Sequence, residues 1–301
     1  MKKNFKKNFS REDFQRSRDN SNGRNNESKD GQVRAKKALG QHFLTDLSVA
    51  RTIADTMAPE GASIEHPANV LEIGPGMGVL SQYLMEREDI NLKMIEIDRE
   101  SVDYLLLNFP KANGALIEGD FLKLDLDNIY NGDFNVIGNF PYNISSQIFF
   151  RILDHRNRIP QVVCMIQKEV AERIAEKPGS KVYGILSVLL QAWYDIEYII
   201  TVGEGAFNPP PKVKSAVIRL TRNSRTSLDC DESLFKAVVK TGFNQRRKTL
   251  RNSLKSMISA KAEKEGWTDE QIAEFTADPV FQLRPERLSV EDFVALTNKL
   301  A

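Results

Sequence analysis

The sequence is poor in the residues that most metal and covalent chemistries need, with two cysteines, Cys164 and Cys230, and three histidines, His42, His66 and His155, among 301 residues. None stand at metal-ligand spacing, which argues against a zinc site. Cys164 lies inside the apolar run Val162 to Ile166 and Cys230 in a polar stretch. Neither setting is the electropositive one that makes a thiolate nucleophile, so catalysis through a cysteine adduct is not expected. Two cysteines without an evident partner suit a reducing compartment. The nucleophile motif Gly-x-Ser-x-Gly is missing. No stretch approaches the ~18–20 apolar residues of a membrane span, and the first residues lack the apolar run of a signal peptide. A cytoplasmic protein with no membrane partner is the expectation. Charge is balanced too, at 42 Lys+Arg against 41 Asp+Glu for a net +1. Any contact with nucleic acid must therefore come from where the basic residues lie.

What is present is an alternation of short apolar runs with helix-compatible segments. Strands are expected at Val70–Gly74, Leu92–Ile97, Ala115–Glu118, Phe134–Gly138, Val162–Ile166, Glu197–Val202 and Val213–Leu220. Strands alternating with helices predict an α/β fold with a doubly wound sheet, which binds ligands beyond the carboxyl ends of its strands. The first strand runs into Gly74-Pro75-Gly76-Met77-Gly78, where glycines let the backbone approach a nucleotide-like ligand. No lysine follows as a phosphate-binding loop requires, and Val79 stands where the dinucleotide fingerprint wants its third glycine. Glu96 ends the next strand about 20 residues on, the position from which a carboxylate can accept hydrogen bonds from both ribose hydroxyls. Asp98 reads better as the cap of the following helix. After the third strand, Asp120 can accept from an adenine amine, with Ile97 and Phe121 beside the ring, although a turn aspartate is the plainer reading.

Asn139-Phe140-Pro141-Tyr142 sits between the strand ending near Gly138 and a helix-like run from Ile144 to Leu153. An amide, a stiffened turn and an aromatic ring at a strand end can hold a flat amine-bearing ring, but the same four residues also suit an ordinary turn.

In this order the parts resemble S-adenosylmethionine-dependent methyltransferases, and more narrowly the ribosomal RNA adenine N6,N6-dimethyltransferase family. Leu39 to Leu44, Glu72 to Gly78, Gly119-Asp120, Asn139 to Tyr142 and Phe207 to Ser215 look like five family motifs in sequence. His42 replaces the Asn of many relatives and Phe140 the usual Leu. The resemblance implies a Rossmann-like methyltransferase sheet. It implies S-adenosylmethionine as cofactor, leaving as S-adenosylhomocysteine, held by His42, Leu44, Gly74, Gly76, Glu96, Ile97, Asp120, Phe121 and Asn139. Asn139, Phe140, Pro141 and Tyr142 would be catalytic. The Asn139 oxygen and the Phe140 carbonyl would each accept an N–H of the target N6 amine, and Tyr142 and Phe207 would stack on or cover the base. The implied substrate is two adjacent adenosines near the 3′ end of small-subunit (16S) rRNA in a 30S assembly particle.

Residues 1–33 are polar and read as a disordered arm, 34–220 as the methyltransferase domain, and 221–301 as a small helical RNA-binding domain. Phe235, Val238, Val239, Phe243, Leu250 and Leu254 mark a core face, while Arg246, Arg247, Lys248 and Arg251 form an acid-free basic ridge, as do Arg34, Lys36 and Lys37 before the first motif. A monomer suits an enzyme that docks on a large particle. Three alternatives stay open: a large-subunit rRNA methyltransferase of the macrolide-resistance type, a non-catalytic ribosome assembly or transcription factor on the same fold, and, more distantly, a nicotinamide dehydrogenase.

Overall fold

Parallel strands covered on both faces need apolar side chains all along their length, and the central runs of this chain supply them. In the computed structural model, which describes residues 35–36 and 39–301, every side chain from Val162 to Ile166 is fully buried, as are Val70 and Leu71.

The chain enters through a two-residue strand β1 (Phe43–Leu44) and helix α1 (Leu47–Thr56), whose N-cap Asp46 accepts from the amides of Ser48 and Val49. It then alternates through β2 (Ala68–Ile73), α2 (Ser81–Met85), β3 (Ile90–Glu96), α3 (Arg99–Asn108), β4 (Leu116–Glu118), β5 (Asn135–Asn139), α4 (Ser145–Asp154), β6 (Gln161–Gln167), α5 (Lys168–Ala175) and α6 (Ile185–Gln191). The strands β7 (Tyr194–Val202), β8 (Phe207–Asn208) and β9 (Ser215–Arg222) follow. Beyond β9 the chain is helical, with α7 (Glu232–Asn244), α8 (Leu250–Ser253), α9 (Lys255–Glu265), α10 (Asp269–Thr276) and α11 (Val290–Leu300).

Seven strands form one sheet in the order β4-β3-β2-β5-β6-β9-β7. Neighbours from β4 to β6 are parallel, and β9 runs antiparallel to both β6 and β7. All seven expected strands are present, with ends displaced by up to three residues: β6 and β7 are longer than expected, β4 is one residue shorter, and β5 and β9 are shifted by one and two residues. From β2 the chain moves outward to β3 and β4, then returns to place β5 on the other side of β2. That reversal opens a crevice at the carboxyl ends of β2 and β5, which is where doubly wound sheets bind ligands. The close approach is set by Gly138: a Cβ there would lie 2.5 Å from the Ile73 carbonyl oxygen.

β1 and β8 pair antiparallel, Phe43 with Asn208 and Leu44 with Phe207, in a separate two-stranded sheet. Runs of two residues carry no periodicity, so neither strand was expected from the sequence. The pairing fastens the segment before α1 to the loop before β9.

The expected core residues of the C-terminal region, Phe235, Val238, Val239, Phe243, Leu250 and Leu254, are all buried, in one apolar cluster with Phe140, Phe149 and Leu190 beneath the sheet. One sequence reading changes. The basic ridge does not run along a single helix: α7 ends at Asn244, Arg246, Arg247 and Lys248 lie in the turn that follows, and Arg251 lies in the four residues of α8. No helix among the described residues is long and apolar enough to cross a membrane. No cluster of three or more His, Cys, Asp or Glu there could hold a metal ion.

Candidate active site

The carboxyl ends of β2, β3 and β5, with the segment Leu39–Leu44, enclose a cavity of about 270 Å³. His42, Leu44, Gly74, Gly76, Glu96, Ile97, Asp120, Phe121, Asn139, Phe140, Pro141 and Tyr142 all line it, although they come from five parts of the chain.

Gly74 and Gly76 turn the chain out of β2 with φ of 66° and 57°. A side chain at Gly76 would press on the Phe43 ring, 3.1 Å away, so the loop is bare where the segment 39–44 crosses it. Glu96 is buried at the end of β3 and tied on both sides, Oε2 accepting from the Gly76 amide at 3.0 Å and Oε1 from the Asp98 amide at 2.8 Å. Burial pushes its pKa above the ordinary glutamate value, and the two amide bonds partly offset that. Each oxygen keeps a lone pair for a ligand hydroxyl. Ile97 is half exposed into the cavity and Phe121 closes it from within.

Asp120 spends Oδ1 on the Leu122 amide at 2.9 Å, the turn role its sequence also allowed, and Oδ2 faces exposed Lys123 at 3.4 Å. Asp98 caps α3 and accepts from Lys36 at 2.5 Å and Gln41 at 3.4 Å. Burial would raise the Asp98 pKa, but those two donors hold it below the usual aspartate range.

At the end of β5 nearly every polar group of the tetrapeptide is used internally. The Phe140 amide donates to the Met165 carbonyl at 3.0 Å, the Pro141 carbonyl accepts from Ile144 at 3.2 Å and the Tyr142 carbonyl from Ser145 at 3.3 Å. The Tyr142 hydroxyl meets the Ser215 hydroxyl at 2.5 Å, and Asn139 Nδ2 donates to the His42 carbonyl at 3.2 Å. Two acceptors are left over. Among the described residues neither Asn139 Oδ1 nor the Phe140 carbonyl has a hydrogen-bond donor. Burial raises the Tyr142 pKa, so the ring stays neutral.

Several expected site residues lie elsewhere or are otherwise engaged. The Phe207 ring is buried in the apolar cluster under β1 and β8, because strand pairing turns it inward, and it does not line the cavity. Lys36 is bound to Asp98 and to Glu100 at 3.2 Å, and Arg246 donates to the carbonyls of Lys181 at 2.6 Å and Tyr183 at 3.2 Å. Arg247, Lys248 and Arg251 are exposed, while Arg34 and Lys37 lie outside the described residues.

Gln41, Glu72, Pro209 and Ser215 stood inside quoted motifs without a role of their own. Glu72 is fully enclosed at the cavity floor, and burial pushes its pKa up to about 8 despite the nearby Ser81 hydroxyl. Its Oε2 and the Ser81 Oγ have no hydrogen-bond partner. A buried acid in a predominantly apolar strand was the one signal in the sequence that could have marked it.

A mostly parallel sheet with a ligand crevice at its reversal, a glycine turn, a terminal carboxylate and two free acceptors beside an aromatic ring together define a Rossmann-like methyltransferase. Two solved structures have this fold: a dimethyladenosine transferase from Plasmodium falciparum (TM-score 0.66, 22% identity, covering 86% of this chain and 96% of that one) and the 23S rRNA methyltransferase ErmE (TM-score 0.55, 24% identity, 86% and 99%). The chain belongs to the ribosomal RNA adenine dimethylase family, whose model matches residues 32–282. It is 58% identical to the ribosomal RNA small subunit methyltransferase A of Parabacteroides distasonis over 265 residues, 88% of this chain and 93% of that protein. It is 55% identical to the protein of the same name from Phocaeicola vulgatus, over 90% of this chain and 91% of that one.

Proposed function

We propose that this protein transfers methyl groups from S-adenosylmethionine to N6 of two adjacent adenosines near the 3′ end of 16S rRNA, giving N6,N6-dimethyladenosines during 30S assembly in the cytoplasm, as a monomer. The observation that carries the reading is the pair of undonated acceptors, Asn139 Oδ1 and the Phe140 carbonyl, at the mouth of a nucleotide-sized cavity.

The cavity residues fit such a cofactor. Glu96 has lone pairs left for two ribose hydroxyls, Ile97 and Phe121 form an apolar slot for adenine, Asp120 stands at its edge, and Gly74 and Gly76 leave the backbone uncovered. His42 and Leu44 lie along the other wall. When bound, S-adenosylmethionine supplies an already activated methyl group; the protein supplies orientation.

An adenine exocyclic amine is a weak nucleophile because its lone pair is delocalised into the ring. Two acceptors on its two hydrogens draw the nitrogen towards a tetrahedral form and direct the lone pair at the methyl. Tyr142 gives the flipped base a stacking surface, a contact worth ~1–3 kcal/mol, held in place by Ser215. Pro141 stiffens the turn. The amine becomes acidic only as it is alkylated, so no strong base has to act first. As the methyl–sulfur bond breaks and the nitrogen–carbon bond forms, the acidified amine releases one proton to solvent; a single N–H then remains, and one acceptor suffices for the second round.

Residues 34–220 carry this chemistry, and 221–301 present exposed Arg247, Lys248 and Arg251 to RNA phosphates. The large-subunit alternative shares the fold, but the Parabacteroides distasonis and Phocaeicola vulgatus relatives, at 58% and 55% identity, are named for the small subunit. Incubating the enzyme with undermethylated small and large subunits in parallel and labelled methyl donor tests the reading; dimethyladenosine recovered from the small subunit supports it, and label confined to large subunits contradicts it.

A further inference from the structure

One residue links three separate parts of this site. His42 sits in the segment that crosses the glycine loop, immediately before β1. Its carbonyl oxygen accepts from Asn139 Nδ2 at 3.2 Å, its Nδ1 lies 2.8 Å from the Pro209 carbonyl oxygen, and its ring stacks on Tyr142 with centroids 5.5 Å apart at 29°.

Carbonyl oxygens can only accept, which settles two assignments by chemistry. Nδ1 of His42 must carry a hydrogen to satisfy Pro209. The edge of the Asn139 amide that faces His42 must be its NH2, so Oδ1 is the edge left to a ligand. Reversed, the amide would set a carbonyl against a carbonyl and present two N–H donors to an amine that itself needs acceptors.

We propose that His42 is a positioning residue for the transfer: its carbonyl fixes the polarity of the Asn139 amide, and its imidazole anchors that carbonyl by bonding Pro209 and packing on Tyr142. This role rests on the methyl transfer proposed above and differs from a cofactor contact in what it changes. A lost cofactor contact weakens binding of the donor and is overcome by saturation. A loosened Asn139 lowers the rate at saturation.

The experiment uses the full chain with undermethylated small subunits and measures single-turnover transfer at saturating S-adenosylmethionine, alongside donor affinity by equilibrium dialysis. His42→Ala and His42→Phe both remove the donor to Pro209, the second keeping an aromatic ring on Tyr142. Each is expected to slow transfer about tenfold, the effect of one lost hydrogen bond, with donor affinity unchanged within about twofold. His42→Asn places an amide N–H where Nδ1 stands and is expected to recover most of the rate. Equal rates in all variants, a loss that saturating donor restores, or failure of His42→Asn to recover when it folds as the wild type does would each overturn the role. Wild-type enzyme inactive on these small subunits would overturn the methyl-transfer reading with it, whereas active wild type and indifferent variants would overturn His42 alone.

Discussion

At the scale of single residues, Asn139 and Glu72 make opposite kinds of demand. In the proposed transfer Asn139 serves the reaction, and it costs the fold little, being only partly buried with one bond to a backbone carbonyl. Asn139→Ala is therefore expected to lower methyl transfer by at least about 100-fold, the scale of a lost orienting acceptor, while donor binding by dialysis persists. Glu72 is a burden on the free protein. Its folded pKa, near 8, lies above the unfolded glutamate value, so between about pH 4.5 and 8 the unfolded chain has released a proton that the folded one retains. Stability should fall as pH rises through that window and be fully present below it. Glu72→Gln should flatten the slope and stabilise the ligand-free protein at pH 8 by on the order of a few kcal/mol; an unchanged pH profile in urea melts would remove the assignment. The residue types of this site were readable because chemistry restricts them: a strand-end carboxylate, a glycine turn, an amide before proline. Which neighbours they use was not, since the bonds from Lys36 and Gln41 to Asp98 join residues about 60 positions apart and depend on the folded path.

At the scale of elements, the seven sheet strands were legible because each is a short run rich in apolar residues between turn signals, buried along most of its length in the central β2, β5, β6 and β9 and only partly so in β4 and β7. The β1–β8 pair was invisible, and with it the inward rotation of Phe207 that removes this ring from the cavity. The break between α7 and α8 was likewise hidden, since apolar spacing continues across the turn while the backbone does not. Sheet geometry makes Gly138 the sensitive point. A Cβ 2.5 Å from the Ile73 carbonyl cannot be relieved by a flexible side chain, so Gly138→Ala should separate β2 from β5. The expected cost is about 1–3 kcal/mol, read as a lower melting temperature, together with slower transfer because Asn139 is the next residue. On the basic segment after α7, Arg247→Ala and Arg251→Ala should each lessen the salt dependence of RNA binding by about one unit of slope. Arg246→Ala should lower the melting temperature instead, because its guanidinium holds the carbonyls of Lys181 and Tyr183. Equal slopes for all three would contradict that division.

At the scale of the whole molecule, the sheet reversal between β2 and β5 does the organising. It brings the carboxyl ends of β2 and β3, which in the proposed reading hold the cofactor, and the turn after β5, which in that reading receives the target base, to one crevice lined also by the segment 39–44. Small side chains and backbone groups handle the chemistry, which is why a chain with so few histidines and cysteines can carry it. The most direct test is radiolabelled methyl transfer to undermethylated small and large ribosomal subunits in parallel, with nucleoside mass spectrometry of the product. The account predicts N6,N6-dimethyladenosine in small-subunit RNA and none in the large; label only in the large subunit, or in neither, would contradict it.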